Sequence, residues 1–349
     1  MRLHGKTLTR REVEARVGRI EQVGGARRVV LAEGPDALVE QIEVRTGAGL
    51  SFRVTPSRGM DIGLAEFAGT PISWLSPAGD VNPAHYDPAG AGWLRTAAGG
   101  LLMTCGLDNV GSPCVDEGES LGVHGRLHHT PARQVVAEGR WAGDEYDIRV
   151  AGVLEDATLF GRRLRLTREI RVRLGESRLA VRDVVENVGF SASPVMLLYH
   201  FNFGWPLMSS ETRLELPSRR VAPREKDLPL DGLDAWQSPV EGFREQVYYH
   251  EDLKTDAKGW TAVAVRNPRF PLTPAGAAVP LAVRLRWATR NLPHFVQWRC
   301  PASGVNALGI EPANCRVEGR NAERQRGTLV TLPPGQSLAF DLELDVITD

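Results

Sequence analysis

The sequence predicts an all-β fold of antiparallel sheets packed face to face. Three observations predict it. Apolar residues alternate with polar ones at period two in long runs, the mark of strands with one wet face. These runs follow one another with turn signals between them and no alternating βα rhythm, which favours antiparallel sheets. Helical periodicity is poor throughout, while 36 glycines and 23 prolines in 349 residues point to many turns and short elements.

Taken in order, strand alternation appears first at 37–45 and 50–55. A short helix near Trp93–Ala98 is expected, its length limited by glycine-rich flanks. Alternation returns at 146–154. Leu164, Leu166, Ile170, Val172 and Leu174 share one parity, Gly175-Glu176-Ser177 turns the chain, and Leu179, Val181 and Val185 follow, which reads as a hairpin. Residues 194–208 form the most apolar run. The 223–239 stretch is polar and irregular and reads as a surface loop, as does the Pro-, Gly- and Ala-rich 268–280 stretch; alternation at 261–266 and 282–287 flanks the second. The last strand is clearest: Leu338, Phe340, Leu342, Leu344 and Val346 alternate with polar or small residues. No linker or fixed repeat divides the chain, so one domain over 1–349 is expected, with N-terminal strands at about 15–75 and the main sandwich at about 95–349.

Charge excludes some functions. Forty-two basic against 43 acidic residues leave a net charge of −1, so no large field favours nucleic acid or an anionic membrane. The apolar run at 194–208 is shorter than the roughly 20 residues a membrane helix needs, and the N-terminus lacks the apolar core of a signal peptide. A cytoplasmic protein is expected. The four cysteines lack Cys-x-x-Cys spacing, so no zinc ribbon is written here.

The chemistry concentrates where ionisable residues interrupt apolar or very small neighbours. In an extended strand Val195, Leu197, Tyr199, Phe201 and Phe203 face one way, and Met196, Leu198, His200 and Asn202 the other. The second face starts apolar and turns polar, as a strand running from a core into a pocket wall would. A buried polar group without a partner costs roughly 2–7 kcal/mol, so His200 needs a partner or a ligand. In Ala307-Leu308-Gly309-Ile310-Glu311-Pro312, Gly309 and Glu311 share a face, leaving room beside the carboxylate, and Pro312 is expected to end the pairing. Read as extended, Gly122-Val123-His124-Gly125-Arg126-Leu127-His128 points His124, Arg126 and His128 the same way. Arg58, in Ser57-Arg58-Gly59-Met60-Asp61, could hold a hydroxyl pair or carboxylate through its planar fork, or simply pair with Asp61. Gln297 could meet sugar hydroxyls or bond backbone.

Two patterns are set aside. Gly118-Glu119-Ser120-Leu121-Gly122 matches a nucleophile elbow, but that needs a buried strand before it and a helix after it. His124, His128, His129, His200 and Glu311 could make a metal site, but histidines four apart chelate from a helix, and the glycines here oppose one.

Together these segments resemble the galactose mutarotase (aldose 1-epimerase) superfamily, and most closely its less characterised branch. Tyr199-His200-Phe201-Asn202 is similar to its histidine strand, His124-Gly125 to its earlier His-Gly element, and Ser57-Arg58-Gly59-Met60-Asp61 to its arginine segment. Glu311, preceded by the Gln297 strand, is similar to its late glutamate. The resemblance implies a large antiparallel β-supersandwich and an aldose 1-epimerase, an isomerase that interconverts sugar anomers by acid–base ring opening without cofactor or metal. It implies Glu311 as base and His200 as acid, with His124 and Arg58 holding oxygens of a small-molecule sugar; Gln297 and Arg126, the latter a departure from the family, are further candidates to bind it. The family's further acidic ligand is matched only by the candidates Glu241, Glu245 and Gln246. Arg126 would favour a sugar bearing an acidic group. Two other readings stay open: a carbohydrate-binding protein of the same sandwich that keeps Trp205 and Trp298 as platforms and dispenses with Glu311, and a metal-dependent sugar isomerase.

Overall fold

A computed structural model describes residues 1–272 and 277–348. Among them, two antiparallel sheets dominate. The first, of eight strands, runs in the order Arg133–Ala142, Glu145–Ala157, Arg163–Arg173, Arg178–Asn187, Ser337–Thr348, Ala278–Ala288, Trp260–Pro271 and Arg213–Glu215. The second, of eleven strands, carries the site. Its order is Arg220–Pro223, Gln246–Glu251, His294–Cys300, Ala307–Ala313, Met196–Phe203, Leu102–Leu107, Asp61–Phe67, Leu50–Thr55, Glu40–Arg45 and Gly25–Val30, with Thr70–Pro71 paired beside Asp61–Phe67. The strand expectations hold with small extensions, and the C-terminal strand lies at the centre of the first sheet.

The period-two pattern explains the layering. Leu166, Ile170, Leu342 and Leu344 from the eight-stranded sheet meet Ile42, Val54, Leu197, Tyr199, Phe201 and Ile310 from the larger sheet in one continuous core. The strand Met196–Phe203 is buried along its whole length. Its other parity, Met196 and Leu198, joins a second cluster with Met103, Val247, Val296, Ala313 and Trp93 on the opposite face of the larger sheet. A strand coated on both faces reads as a continuous apolar run, which is why His200 and Asn202 stand out in it.

Four local expectations are corrected. Residues 268–271 and 278–280 continue two strands that pair with each other, because Phe270 is buried and anchors the pairing to Val279; Thr273–Gly276, the middle of the expected loop, lies outside the described residues. Pairing does not stop at Pro312: Phe295 and His294 pair with Pro312 and Ala313 on one side, while toward the histidine strand pairs form at Leu198–Ala313 and again at Phe201–Ile310. The 223–239 stretch is mostly loop, as expected, but buries Leu233 and Trp236. The helix expected near Trp93–Ala98 is one short 3₁₀ turn, Gly92–Arg95. Among the described residues no helix is long and apolar enough to cross a membrane.

Candidate active site

The site forms where two neighbouring strands place ionisable side chains on the same outer face of the larger sheet. The register that pairs Leu198 with Ala313 and Phe201 with Ile310 brings His200 opposite Glu311. Directly opposed residues have Cβ atoms only about 4.5–5.5 Å apart. His200 Nε2 lies 3.1 Å from Glu311 Oε1. Both are buried, His200 7% and Glu311 2% exposed. Gly309, on the same face, makes room: a Cβ there would sit 2.6 Å from Glu311 Oε1 and 2.9 Å from His200 Cε1.

The pair floors a cavity of about 560 Å³, walled by Trp74, Trp93, Met103, His124 and Trp298, with Arg224, Glu225 and Glu245 also lining it. That is within the roughly 300–1,000 Å³ of small-molecule sites. The 3.1 Å approach lacks hydrogen-bond alignment. Glu311 Oε1, His200 Nδ1 and Trp93 Nε1 are buried without a hydrogen-bond partner among the described residues. Buried polar atoms are ordinarily satisfied, so three orphans around one cavity mark where a polar ligand would bind.

Burial governs the protonation of these groups. Desolvation pushes the Glu311 carboxyl well above the usual carboxylate range, and the nearby Glu245 charge adds to this against Arg224. Desolvation also lowers His200, to about 3, with His124 adding a smaller push. His124 is lowered to about 4, again by burial first. Burial therefore favours neutral imidazoles at His200 and His124 and favours the protonated form of the Glu311 carboxyl.

His124 reaches the cavity from a turn. Its φ is +55°, followed by Gly125 at +69°. Its N–H donates to Gly111 O at 3.0 Å, and its carbonyl accepts from Gly106 N–H at 2.9 Å. The Gly111 N–H also donates to His124 Nδ1 at 3.3 Å, which leaves Nε2 to carry the ring proton. Two successive left-handed residues break the alternation expected for an extended segment. Arg126 consequently points outward, its Nε 3.8 Å from Asp108 Oδ2, and does not line the cavity.

Two more expected ligands lie elsewhere. Arg58 is buried with its Nη2 2.7 Å from His128 Nε2, and it also donates to the carbonyls of Val81 and Thr96. His128 Nδ1 in turn meets Asp61 Oδ2 at 2.7 Å, so the imidazole stands between Arg58 and Asp61. Gln297 shares parity with Phe295, on the core side, while Val296 joins the outer-face cluster and Trp298 lines the cavity. Its amide is spent on His250 Nε2 at 3.0 Å and on Leu233 O at 3.0 Å. His129 is 2.8 Å from Thr96 Oγ1, so neither His128 nor His129 joins His124 and His200. Among the described residues no group of three or more His, Cys, Asp or Glu is arranged to hold a metal ion. Ser120 is exposed on the small hairpin Cys114–Asp116 and Glu119–Leu121, with no elbow geometry.

Other residues complete the walls. Of the acidic candidates, Glu245 lines the cavity, and Glu241 and Gln246 do not. Trp298 Nε1 donates to Glu245 Oε2 at 2.8 Å. Trp205 is 72% exposed and forms no wall. Trp74, Trp93 and Arg224 were not singled out by pattern; each comes from a connection rather than from a periodic strand. Beneath the floor, Arg168 ties the sheets together through Asp183 (2.6 Å), Asp61 (3.0 Å) and Thr104 Oγ1 (2.9 Å), and Tyr199 donates to Asp183 at 2.7 Å. Tyr199 and Thr104 adjoin His200 and Met103 in sequence, so this network pins the histidine strand and its neighbour Leu102–Leu107 from behind.

Comparison with known proteins places this geometry. Residues 37–346 match the family model described as Domain of unknown function (DUF4432). No curated protein matches the chain. Among solved structures, a Klebsiella pneumoniae protein provisionally named aldose 1-epimerase is similar with a TM-score of 0.82 and 26% identity, over 93% of this chain and 83% of that one. A galactose mutarotase-like protein from Clostridium acetobutylicum matches with a TM-score of 0.60 and 13% identity, over 94% and 100%. Galactose 1-epimerase from Lactobacillus acidophilus matches with a TM-score of 0.55 and 13% identity, over 93% and 98%. The fold is the galactose mutarotase-like β-sandwich.

Proposed function

The chain belongs to the DUF4432 family, and from that premise we propose that it is an aldose 1-epimerase, interconverting the α and β anomers of a sugar by opening and closing the ring. The observation that carries this reading is the buried His200–Glu311 contact at 3.1 Å, facing an open cavity with orphaned polar atoms. Anomer exchange needs a proton taken from the anomeric hydroxyl and one given to the ring oxygen. Both oxygens sit on the same carbon. An acid and a base one hydrogen-bond length apart can serve both.

Glu311 takes the hydroxyl proton as His200 gives one to the ring oxygen. The bond from the anomeric carbon to the ring oxygen breaks as the carbonyl forms. Rotation about the adjacent carbon–carbon bond presents the other face, and the same transfers run in reverse. The reactive pair holds one proton, on the imidazole when Glu311 acts as base; moving it between carboxyl and imidazole leaves the net charge of the pair unchanged. His124, its Nε2–H free for an acceptor, holds a sugar oxygen. Each positioned acid or base supplies typically about 10²–10⁴ in rate. The named relatives support the substrate class only as relatives.

Exchange spectroscopy on a panel of reducing sugars tests the reading. The expected result is cross-peaks between anomers that grow with protein concentration for at least one sugar. Binding of a sugar with no acceleration would favour a carbohydrate-binding role instead.

A further inference from the structure

The mouth of the cavity carries charge that anomer exchange leaves unused. Besides Glu311, the charged groups lining it are Arg224, Glu225 and Glu245. Arg224 Nε donates to Glu225 at 2.6 Å, and its Nη2 donates to Glu245 at 3.3 Å. One guanidinium thus serves two carboxylates, and the set keeps an excess negative charge. Trp298 Nε1 holds Glu245 from another side at 2.8 Å. Among the described residues no second arginine or lysine lines the cavity. Arg126, the cation expected to attract an acidic sugar, is turned toward Asp108 instead.

Trp298 stands beside Glu245, and a second indole lines the same cavity. Trp74 and Trp298 both line the cavity, their rings 6.0 Å apart and inclined at 61°. A cavity that offers both carboxylates and indole rings suits an ammonium group, since a cation is drawn to a carboxylate and to an aromatic face. An anionic substituent would gain from neither. The one cation of the cavity wall, Arg224, already faces two carboxylates. Glu311, His200 and Trp93, each with a buried unpartnered atom, line the same cavity and mark it independently as a place for a polar ligand.

We propose that the preferred substrate is an amino sugar, a pyranose whose ammonium meets Glu245 and Glu225 beside the tryptophans while its anomeric carbon faces Glu311 and His200. The anomeric end rests on the epimerase reading; the ammonium contact does not. Glu245 and Glu225 are the residues that set this specificity.

The test measures binding by titration calorimetry and anomer exchange by NMR, side by side. The sugars are glucose and galactose, their 2-amino and 6-amino analogues, and their uronic acids. At low salt one amino sugar is expected to bind and exchange roughly fivefold better than its neutral parent, the scale of a partly exposed ion pair, and the uronate correspondingly worse. Raising salt to about 0.5 M shrinks the order by screening. Glu245→Gln, and separately Glu225→Gln, shrink the amino-to-neutral ratio toward one. An equal or reversed charge order overturns the inference, as does failure of every amino sugar to bind. Charge-ordered binding without exchange keeps this inference and removes the epimerase reading; exchange without charge order does the opposite.

Discussion

A carboxyl and an imidazole that share one proton behave differently from either group alone. Burial raises Glu311 and lowers His200 to about 3, so the one-proton state spans a wide pH range. On the proposed mechanism that state is the active one. The acid limb requires a second proton on the pair, and the depressed His200 moves it well below the ordinary imidazole value of roughly 6.5. The alkaline limb requires loss of the last proton, and the raised Glu311 moves it upward from the usual carboxylate range. The groups facing the pair do not put a limb back near neutrality: His124 is itself lowered to about 4, and Arg224 is raised above an already high value. A pH profile of kcat/KM should therefore show no loss of activity on the acid side near pH 6.5; activity that falls as pH drops through 6.5 would mean an ordinary, solvated histidine carries the proton.

Single strands decide which residues reach the cavity, and parity decides it almost alone. His200 and Glu311 were readable as cavity residues because each interrupts one face of an apolar or small-residue strand. Gln297 was misplaced because the polar side chain drew attention away from its parity: Phe295 beside it belongs to the core, so Gln297 does too. Arg58 and Arg126 were misplaced for a different reason. Both sit near turns, where left-handed residues such as Met60 and His124 redirect the chain and alternation gives no direction. Gly309 carries the element-level prediction. Its own backbone is not left-handed, but a methyl group there meets Glu311 Oε1 at 2.6 Å and His200 Cε1 at 2.9 Å. Gly309→Ala should cost about 1–3 kcal/mol of stability, as overpacking does, and lower kcat at least tenfold by spreading the pair. Chemical denaturation and steady-state kinetics read the two effects separately; unchanged turnover would show that the contact distance is immaterial.

At the scale of the whole molecule, two sheets meet across one core, and the larger sheet has a second coated face that bears the site. The layers were legible because period-two patterning states which residues are buried. The cavity walls were not. Trp74, Trp93 and Arg224 come from connections with no periodicity, and they meet only because Trp74 N–H donates to Asn202 O at 3.2 Å and Trp93 packs against His124 at 4.9 Å between ring centres. No local pattern encodes such meetings. The buried arginine of the core acts at this scale as well: Arg168 spans from Asp183 in one sheet to Asp61 in the other. With Asp183 it fixes Tyr199, beside His200, and Thr104, beside Met103, from the core side. The account as a whole turns on Glu311 acting as the base. Glu311→Gln keeps the shape and removes the basicity, so anomer exchange by NMR in this variant, with sugar affinity measured in parallel, tests it most directly. The account predicts exchange reduced by about 10²–10⁴ with affinity largely kept; exchange at the wild-type rate would contradict it.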